Sequence, residues 1–334
     1  MADLNNSFIA GVMNKDLDER LLPEGVYRDA LNVTVDTSAN SAVGSIQNQM
    51  GNTRVTDVSV ISGFTSITNA KTIGAVAVEK DNLIYWLVSC DQFDGIFEYN
   101  EITGNTLRVL QSNKATPTTP SKLNFNQGFI VTGINYVNGF LFWTDNYNPP
   151  RRINIARVKT DSLGTGGYNI DDPRIDDDIN VILAPPLNGP SIKLYNDGTQ
   201  ANNLEEKFIY FTYRYKYVDN QYSSLSPLSA VAFMPKKYEV DFAVGYNKAM
   251  LNKFNTADIT IYTGNQFVKE IQVVMYDSRS LNCHIVETLN KEELNLSDDI
   301  FKTIKFNNNK TYTILPSDQL TRLFDNVPLY AKAQ

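Results

Sequence analysis

Apolar and polar residues alternate in short runs along most of the chain, and two of these runs repeat one order of features. Ile73–Val78 alternates up to a polar turn at Lys80-Asp81-Asn82, after which Leu83-Ile84-Tyr85-Trp86-Leu87-Val88 continues as a strand. Gly133-Ile134-Asn135-Tyr136 leads to Asn138-Gly139, and Phe140-Leu141-Phe142-Trp143-Thr144-Asp145 follows. Alternation with period two marks a strand with one buried face. Asn-Gly between two such runs marks a tight hairpin, because both central residues tolerate positive φ. A further strand is predicted after each hairpin, over Gly95–Tyr99 and Arg152–Val158. Trp86 and Trp143 thus stand roughly one propeller blade apart, the repeat of such folds being about 40–50 residues. Two such units cannot close a propeller, which needs about four to eight blades. The predicted fold is all-β: a partial β-propeller with an inserted Ig/fibronectin-like β-sandwich domain.

The pattern divides the chain further. Residues 1–70 read as an N-terminal arm and first propeller strands, with strands over Tyr27–Asp36 and Ala42–Gln49. Residues 71–160 hold the blades, separated by a polar loop at Ser112–Asn126 with Pro117 and Pro120. Residues 161–190 read as a linker: Gly164-Thr165-Gly166-Gly167, then an acidic run at Asp171–Asp178, then Pro185-Pro186 and Pro190. Residues 191–295 carry short strands between frequent turns, the writing of a sandwich. Lys207–Val218 is the longest of them. Its Phe208, Tyr210, Thr212, Arg214 and Lys216 share one face, and its Ile209, Phe211, Tyr213, Tyr215 and Tyr217 share the other. A turn at Asp219-Asn220 returns it through Tyr222–Phe233, predicted as a strand. Asp258–Thr263, Val268–Asp277 and His284–Leu289 are further strands, and Tyr246–Lys253 is predicted as a short helix. Residues 296–334 return to propeller strands, beginning with Phe301–Phe306, and stop without a closing element.

Composition narrows the function classes. The 334 residues carry a net charge of −7, and nucleic-acid binding surfaces need clustered cations. An acidic wall would repel DNA and let it slide. Two cysteines, Cys90 and Cys283, give neither a disulfide framework nor zinc spacing. No signal peptide opens the sequence, and no apolar run reaches the ~20 residues of a membrane span. No membrane partner is predicted.

Candidate chemistry is sparse. The single histidine, His284, follows Cys283. Adjacent strand residues point to opposite faces, so the two do not make a catalytic pair, which needs facing side chains. No catalytic residue and no cofactor are predicted. The weak candidates for a cation are Asp171, Asp172, Asp176 and Asp178, although the run lacks the spacing and central glycine of an EF-hand. The tyrosine stripe Tyr213, Tyr215 and Tyr217 is either a core face with an interface or an aromatic platform for carbohydrate.

Several stretches, taken together, resemble a known family. Gly11-Val12-Met13-Asn14-Lys15-Asp16-Leu17-Asp18-Glu19-Arg20-Leu21-Leu22-Pro23 and Tyr27-Arg28-Asp29-Ala30-Leu31-Asn32-Val33 look like the start of β-propeller structural proteins of tailed bacteriophages. Val43–Asn48 and Gly51-Asn52-Thr53 continue the likeness. The protein resembles the tail nozzle of short-tailed phages, called the muzzle in crAss-like phages. Phe211–Tyr217 with Tyr222-Ser223-Ser224-Leu225-Ser226-Pro227 is similar to a sandwich domain inserted in that group, and Leu323–Pro328 with Ala331–Gln334 resembles a junction that longer relatives continue. The resemblance implies a non-enzymatic virion component assembled in the bacterial host cytoplasm, a ring below the portal forming the DNA exit channel. It implies as partners other copies of the chain, a downstream fragment of the same gene product that meets Val327 and Pro328, portal-proximal ring and adaptor proteins, and tail fibres. The rival readings are a tail-associated receptor- or carbohydrate-binding module and a tail glycan hydrolase.

Overall fold

The computed structural model describes residues 12–23, 25–35, 46–48, 51, 54–163, 170, 174–280 and 282–316. The chain forms two units, Met1–Asp57 and Val58–Gln334. It is all-β, built of several small sheets, and no closed barrel occurs among the described residues.

In the first unit, β1 (Val12–Met13) pairs in parallel with β2 (Val26–Tyr27), and β3 (Val33–Val35) pairs antiparallel with β4 (Ile46–Asn48). Parallel neighbours need a crossover, and here a compact one is pinned by side chains. Asn14 Oδ1 accepts from the Asp16 and Leu17 amides, and Asp18 caps a single 3-10 turn at Glu19–Leu21. The single strand predicted over Tyr27–Asp36 is corrected to two short pieces. Asn32 sits in the left-handed region at φ 53°, a conformation no strand can run through.

The second unit opens with α1 (Val58–Ser62) and a four-stranded meander: β5 (Lys71–Val78), β6 (Leu83–Ser89), β7 (Phe93–Asn100) and β8 (Thr106–Asn113), in that order in the sheet. A second sheet follows, β9 (Gly133–Val137), β10 (Phe140–Thr144) and β11 (Arg151–Asn154). The turn between β9 and β10 has Asn138 at φ 50° and Gly139 at φ 84°, the two positive values a two-residue hairpin of this type requires.

The two sheets pack face against face. Tyr85 of β6 stacks on Tyr136 of β9 at 5.6 Å, so the Tyr85/Leu87 face of one meets the Ile134/Leu141/Trp143 face of the other. The backbones touch as well: the Val131 amide donates to Ile73 O at 2.7 Å, and a Cβ on Gly74 would lie 2.6 Å from Val131 O. Trp86 and Trp143 each stand fourth in the second strand of their sheet, on the face turned towards the preceding element. For Trp143 that element is the first sheet, and the indole is buried. For Trp86 it is α1 with Phe64, and the indole is half-buried.

The polar loop after β8 is not loosely solvated. Asp94, fully buried, accepts from Ser89 Oγ (2.6 Å), Ser121 Oγ (2.5 Å) and the Phe125 amide (3.0 Å), and pairs with Lys114 at 2.8 Å. A buried carboxylate needs such a full set of donors. The network ties residues 114–125 to the sheet and carries Leu123 and Phe125 into the core.

The strand predicted over Arg152–Val158 is corrected: β11 ends at Asn154 and α2 (Ile155–Leu163) begins. Asn154 Oδ1 accepts from the Arg157 amide at 3.1 Å, the bond of a helix N-cap. Ile155 and Val158, three apart, then point to one buried side. A short α3 (Asp176–Ile179) follows.

The sandwich-like part has two sheets. One holds β12 (Ser191–Tyr195), β16 (Thr256–Tyr262) and β19 (Phe301–Phe306), with β16 in the middle; the other runs β13 (Ile209–Tyr217), β17 (Val268–Asp277), β18 (Asn282–Asn290) and β20 (Thr313–Ile314). A hairpin of β14 (Val240–Asp241) and β15 (Tyr246–Asn247) projects separately. The helix predicted at Tyr246–Lys253 is corrected to the end of this hairpin and one 3-10 turn, Lys248–Met250, capped by Asn247. One hydrophobic cluster runs from Ile73 and Trp143 through Val158 and Ile179 to Tyr217 and Phe306, so the blade-like sheets and the sandwich-like sheets share a core.

The predicted strand Tyr222–Phe233 is also corrected, and its replacement closes the free edge of β13. Ser223, Ser226, Ser229 and Ala232 donate their amides to the carbonyls of Tyr215, Tyr213, Phe211 and Ile209, all at 2.8 Å. The same serines take back the amide of the same strand residue on Oγ: Tyr215 at 3.0 Å, Tyr213 at 3.1 Å and Phe211 at 2.9 Å. Three residues therefore pass for every two of the strand, which advances about 6.7 Å over two residues. The segment rises only about 2.2 Å per residue, below the 3.1 Å of polyproline II, and its hydroxyls do what backbone carbonyls do in a sheet. Serine every third position is incompatible with strand alternation and fits this ladder.

Candidate functional site

Tyr213, Tyr215 and Tyr217 alternate along β13 and so face one way, into the space between the two sheets. They border a cleft of about 760 Å³ at one end of the sandwich, where β12 and β19 begin and β16 ends. The rings pack edge to face, at 5.8 Å between Tyr213 and Tyr215 and 6.4 Å between Tyr215 and Tyr217. Tyr215 Oη donates to Tyr262 O (3.1 Å) and Tyr217 Oη to Ala184 O (2.8 Å). Burial, and then the neighbouring tyrosines, push the Tyr215 phenol far above its ordinary value. Burial, and then the Asp177 and Asp178 charges, do the same to Tyr217. These hydroxyls are neutral and already hydrogen-bonded. The stripe is a core wall with its edge at the cleft, and its faces are not laid open as a platform.

The cleft wall is polar on one side. Asn265 Nδ2 donates to Asp177 Oδ2 at 2.7 Å, Tyr262 Oη donates to Asp299 Oδ1 at 3.0 Å, and Arg174 pairs with Asp299. Burial pushes the Asp299 carboxyl up, but the hydrogen bonds from Arg174 and Tyr262 outweigh it and hold the group below its ordinary value. The rim is apolar: Leu187 and Phe301 are 69% and 75% exposed.

Beside the cleft, the acidic run forms a joint. Asp176 pairs with Arg151 of β11 at 3.3 Å. Asp178 Oδ1 and Oδ2 each accept from Arg157 of α2 at 2.8 Å. Arg157 also reaches Asp219, in the turn after β13, at 3.2 Å, and Asn154 donates to the same carboxylate at 3.2 Å. Three successive aspartates thus bind three different segments: β11, the loop between β16 and β17, and α2. Of the four candidate cation ligands, Asp176 and Asp178 are engaged by guanidinium groups, and Asp171 and Asp172 lie outside the described residues. Among the described residues no cluster of three metal-ligating side chains occurs. Sequence reading missed Arg151, Arg157 and Asp219; Arg157 and Asp219 stand 62 residues apart, and the three share no local spacing.

The sequence profile of the Crassvirus muzzle protein matches residues 3–308. The chain belongs to this family. Membership gives it a structural role in the virion tail. A comparison with curated protein sequences gives no match. Cys283 is buried among Val274 and Leu315, and burial pushes its thiol up to about 11. Val327 and Pro328, the other predicted contacts of this muzzle chain, lie outside the described residues. No helix among the described residues is long and apolar enough to cross a membrane.

Proposed function

We propose that the chain is a wall segment of the muzzle, lining the channel through which DNA leaves the particle. In this reading β5–β8 and β9–β11 are two successive propeller blades within 71–160, and 161–190 links them to an Ig/fibronectin-like sandwich that begins at 191; the return to propeller strands expected from Phe301 is corrected, because β19 pairs with β16 and β20 with β18 inside the sandwich. The observation that carries it is the face-to-face packing of two consecutive antiparallel sheets, with Trp86 and Trp143 at matching positions on matching faces. Such packing is how blades build a rigid ring. Copies of the chain form a ring below the portal, in contact with ring and adaptor proteins, with tail fibres and with further sequence of the same gene product. The net charge of −7 supports passage of DNA without binding, since phosphate attraction needs clustered cations.

A carbohydrate-binding module needs open aromatic faces, and the three tyrosines are buried; this favours the structural role over receptor binding. The test is electron cryomicroscopy of the intact particle. The expected result is a ring of this chain at the tail exit with the Trp86 face covered by a neighbouring sheet. Its absence from the tail, or specific glycan binding by the isolated chain, overturns the reading.

A further inference from the structure

The hairpin β14–β15 is an apolar finger. Its base is fixed: the Lys236 amide donates to Leu251 O (3.1 Å), the Lys253 amide to Met234 O (2.7 Å) and the Asn252 amide to Glu205 O (2.7 Å). Its tip is bare, with Phe242 93% and Val244 74% exposed, and Tyr238, two residues before β14, is 71% exposed. Gly245, at φ 67°, lets the tip turn tightly. Large apolar side chains this exposed, carried on one short hairpin with a fixed base, mark an interaction surface.

The finger and the tyrosine cleft lie at opposite ends of the sandwich. The finger leaves the body where Ala232 bonds Ile209, the first residue of β13, and where Phe233 stacks on Phe208 at 4.6 Å. The cleft is at the other end of that strand, around Tyr217. Ile209, at the base of the finger, stands four residues before Tyr213, the first tyrosine of β13 to border the cleft, about 13 Å at 3.3 Å per step. One is a convex apolar tip and the other a concave, apolar-rimmed cavity. Their charges are complementary too. In Met234–Lys253, Lys236 is paired with Glu205 and Lys248 with Glu239, which leaves Lys237 and Lys253 against Asp241, a single net positive charge, while the cleft wall carries Asp177 and Asp299 with Arg174, a single net negative one.

We propose that the hairpin tip of one copy seats in the tyrosine cleft of a second copy. A single contact then covers both bare apolar patches. Because the two surfaces differ, the contact is heterologous, and repeating it closes a ring when the rotation allows. Seating a few aromatics, at about 150–250 Å² each, buries less than the ~800 Å² per partner of a standard interface. A single contact is therefore weak, and closure of the ring multiplies it. The inference rests on the muzzle reading for the ring, and on the finger and cleft alone for the contact.

Sedimentation of the full chain tests it. The wild type is expected to associate with rising concentration, and Phe242→Asp or Leu187→Asp each to weaken that association at least tenfold. Both residues are exposed, so thermal unfolding should stay unchanged. Phe242→Asp keeps its cleft and Leu187→Asp keeps its finger, so a mixture should form one-to-one pairs that grow no further. A Val244→Cys, Leu187→Cys chain should crosslink between copies from 244 to 187, undisturbed by the buried Cys90 and Cys283. A wild type that stays monomeric, variants that associate like the wild type, or a mixture that fails to pair overturns the contact. Particles with Phe242→Asp that keep an unchanged ring overturn it while leaving the muzzle reading intact; absence of the wild-type chain from tails overturns that reading instead.

Discussion

The two four-stranded sheets of the second unit are assembled in different ways. In β5–β6–β7–β8 every strand pairs with its neighbour in sequence, through short turns. In β13–β17–β18–β20 the first pairing joins Tyr217 to Val268 across an intervening sheet strand, a projecting hairpin and the serine segment. Their outer edges differ as well. Helices α1 and α2 lie against β8, whereas β13 is closed by hydroxyls and amides of Ser223, Ser226 and Ser229. An open edge invites pairing with another chain. The last strand of the meander has helices packed against it, and the second sheet is closed by a segment that imitates a strand without being one.

The strongest perturbation of this contrast is at the joint between the two assemblies. Arg157→Ala leaves Asp178 and Asp219, both nearly inaccessible, without their guanidinium. Breaking a buried pair by removing one partner costs about 3–5 kcal/mol, to be read from the denaturant midpoint. Lys248→Ala, at the exposed pair with Glu239, should cost less than about 1 kcal/mol. If the two variants are equally mild, the aspartate joint is not what holds the assemblies together.

Within the blade-like part, Trp143→Ala should cost about 3–5 kcal/mol, the range for large buried aromatics. Trp86→Ala should cost roughly half, since its indole is only half-buried, packed on Phe97 and among Val58, Ile61 and Phe64. Equal losses would show that the preceding element covers Trp86 as fully as a sheet.

At the edge of β13, Ser226→Ala removes the acceptor of the Tyr213 amide. A buried amide left without a partner costs about 1–3 kcal/mol. Hydrogen exchange at Tyr213 should accelerate, while exchange in β6 stays unchanged. No change at Tyr213 would mean that the main-chain bonds alone maintain the ladder.

The smallest effect is with pH. The Cys283 thiol has an ordinary value of 9.0 and rises to about 11 in the fold through burial. Its contribution is present in full below pH 9 and is lost as pH rises through 11. Burial shifts the Tyr215 and Tyr217 phenols in the same direction, so they add with the same sign. The unfolding midpoint should be level from pH 7 to 9 and fall above that. Cys283→Ala should flatten the first part of that fall.

Much of this molecule was legible in its sequence where partners are close together. The period-two runs and the Asn138-Gly139 turn gave the strands and the hairpin, because alternation and positive φ are properties of neighbouring residues. The bounds of Val268–Asp277 and Phe301–Phe306 follow from the alternation, but the partner of the second does not: it pairs with β16 in the sandwich and not with propeller strands. That Ile209, Phe211, Tyr213, Tyr215 and Tyr217 share one face of β13 followed from alternation alone. The serine repeat was on the page as well, but its spacing of three marks a ladder only once a strand is laid beside it. Local signals lost to others at Arg152–Val158, where an Asn154 cap and an i, i+3 apolar pair start a helix instead.

What only the tertiary structure decided is who meets whom. Asp176, Asp177 and Asp178 look like a cation loop when read along the chain, and became a joint because Arg151, Asn265 and Arg157 arrive from three other segments. The tyrosine stripe could have been a platform or a core, and became a core wall because a second sheet packs over it. Charge and alternation fix what a residue needs, a counter-charge or a dry surface. Which distant residue supplies it depends on how the sheets cross, and no short-range pattern encodes that.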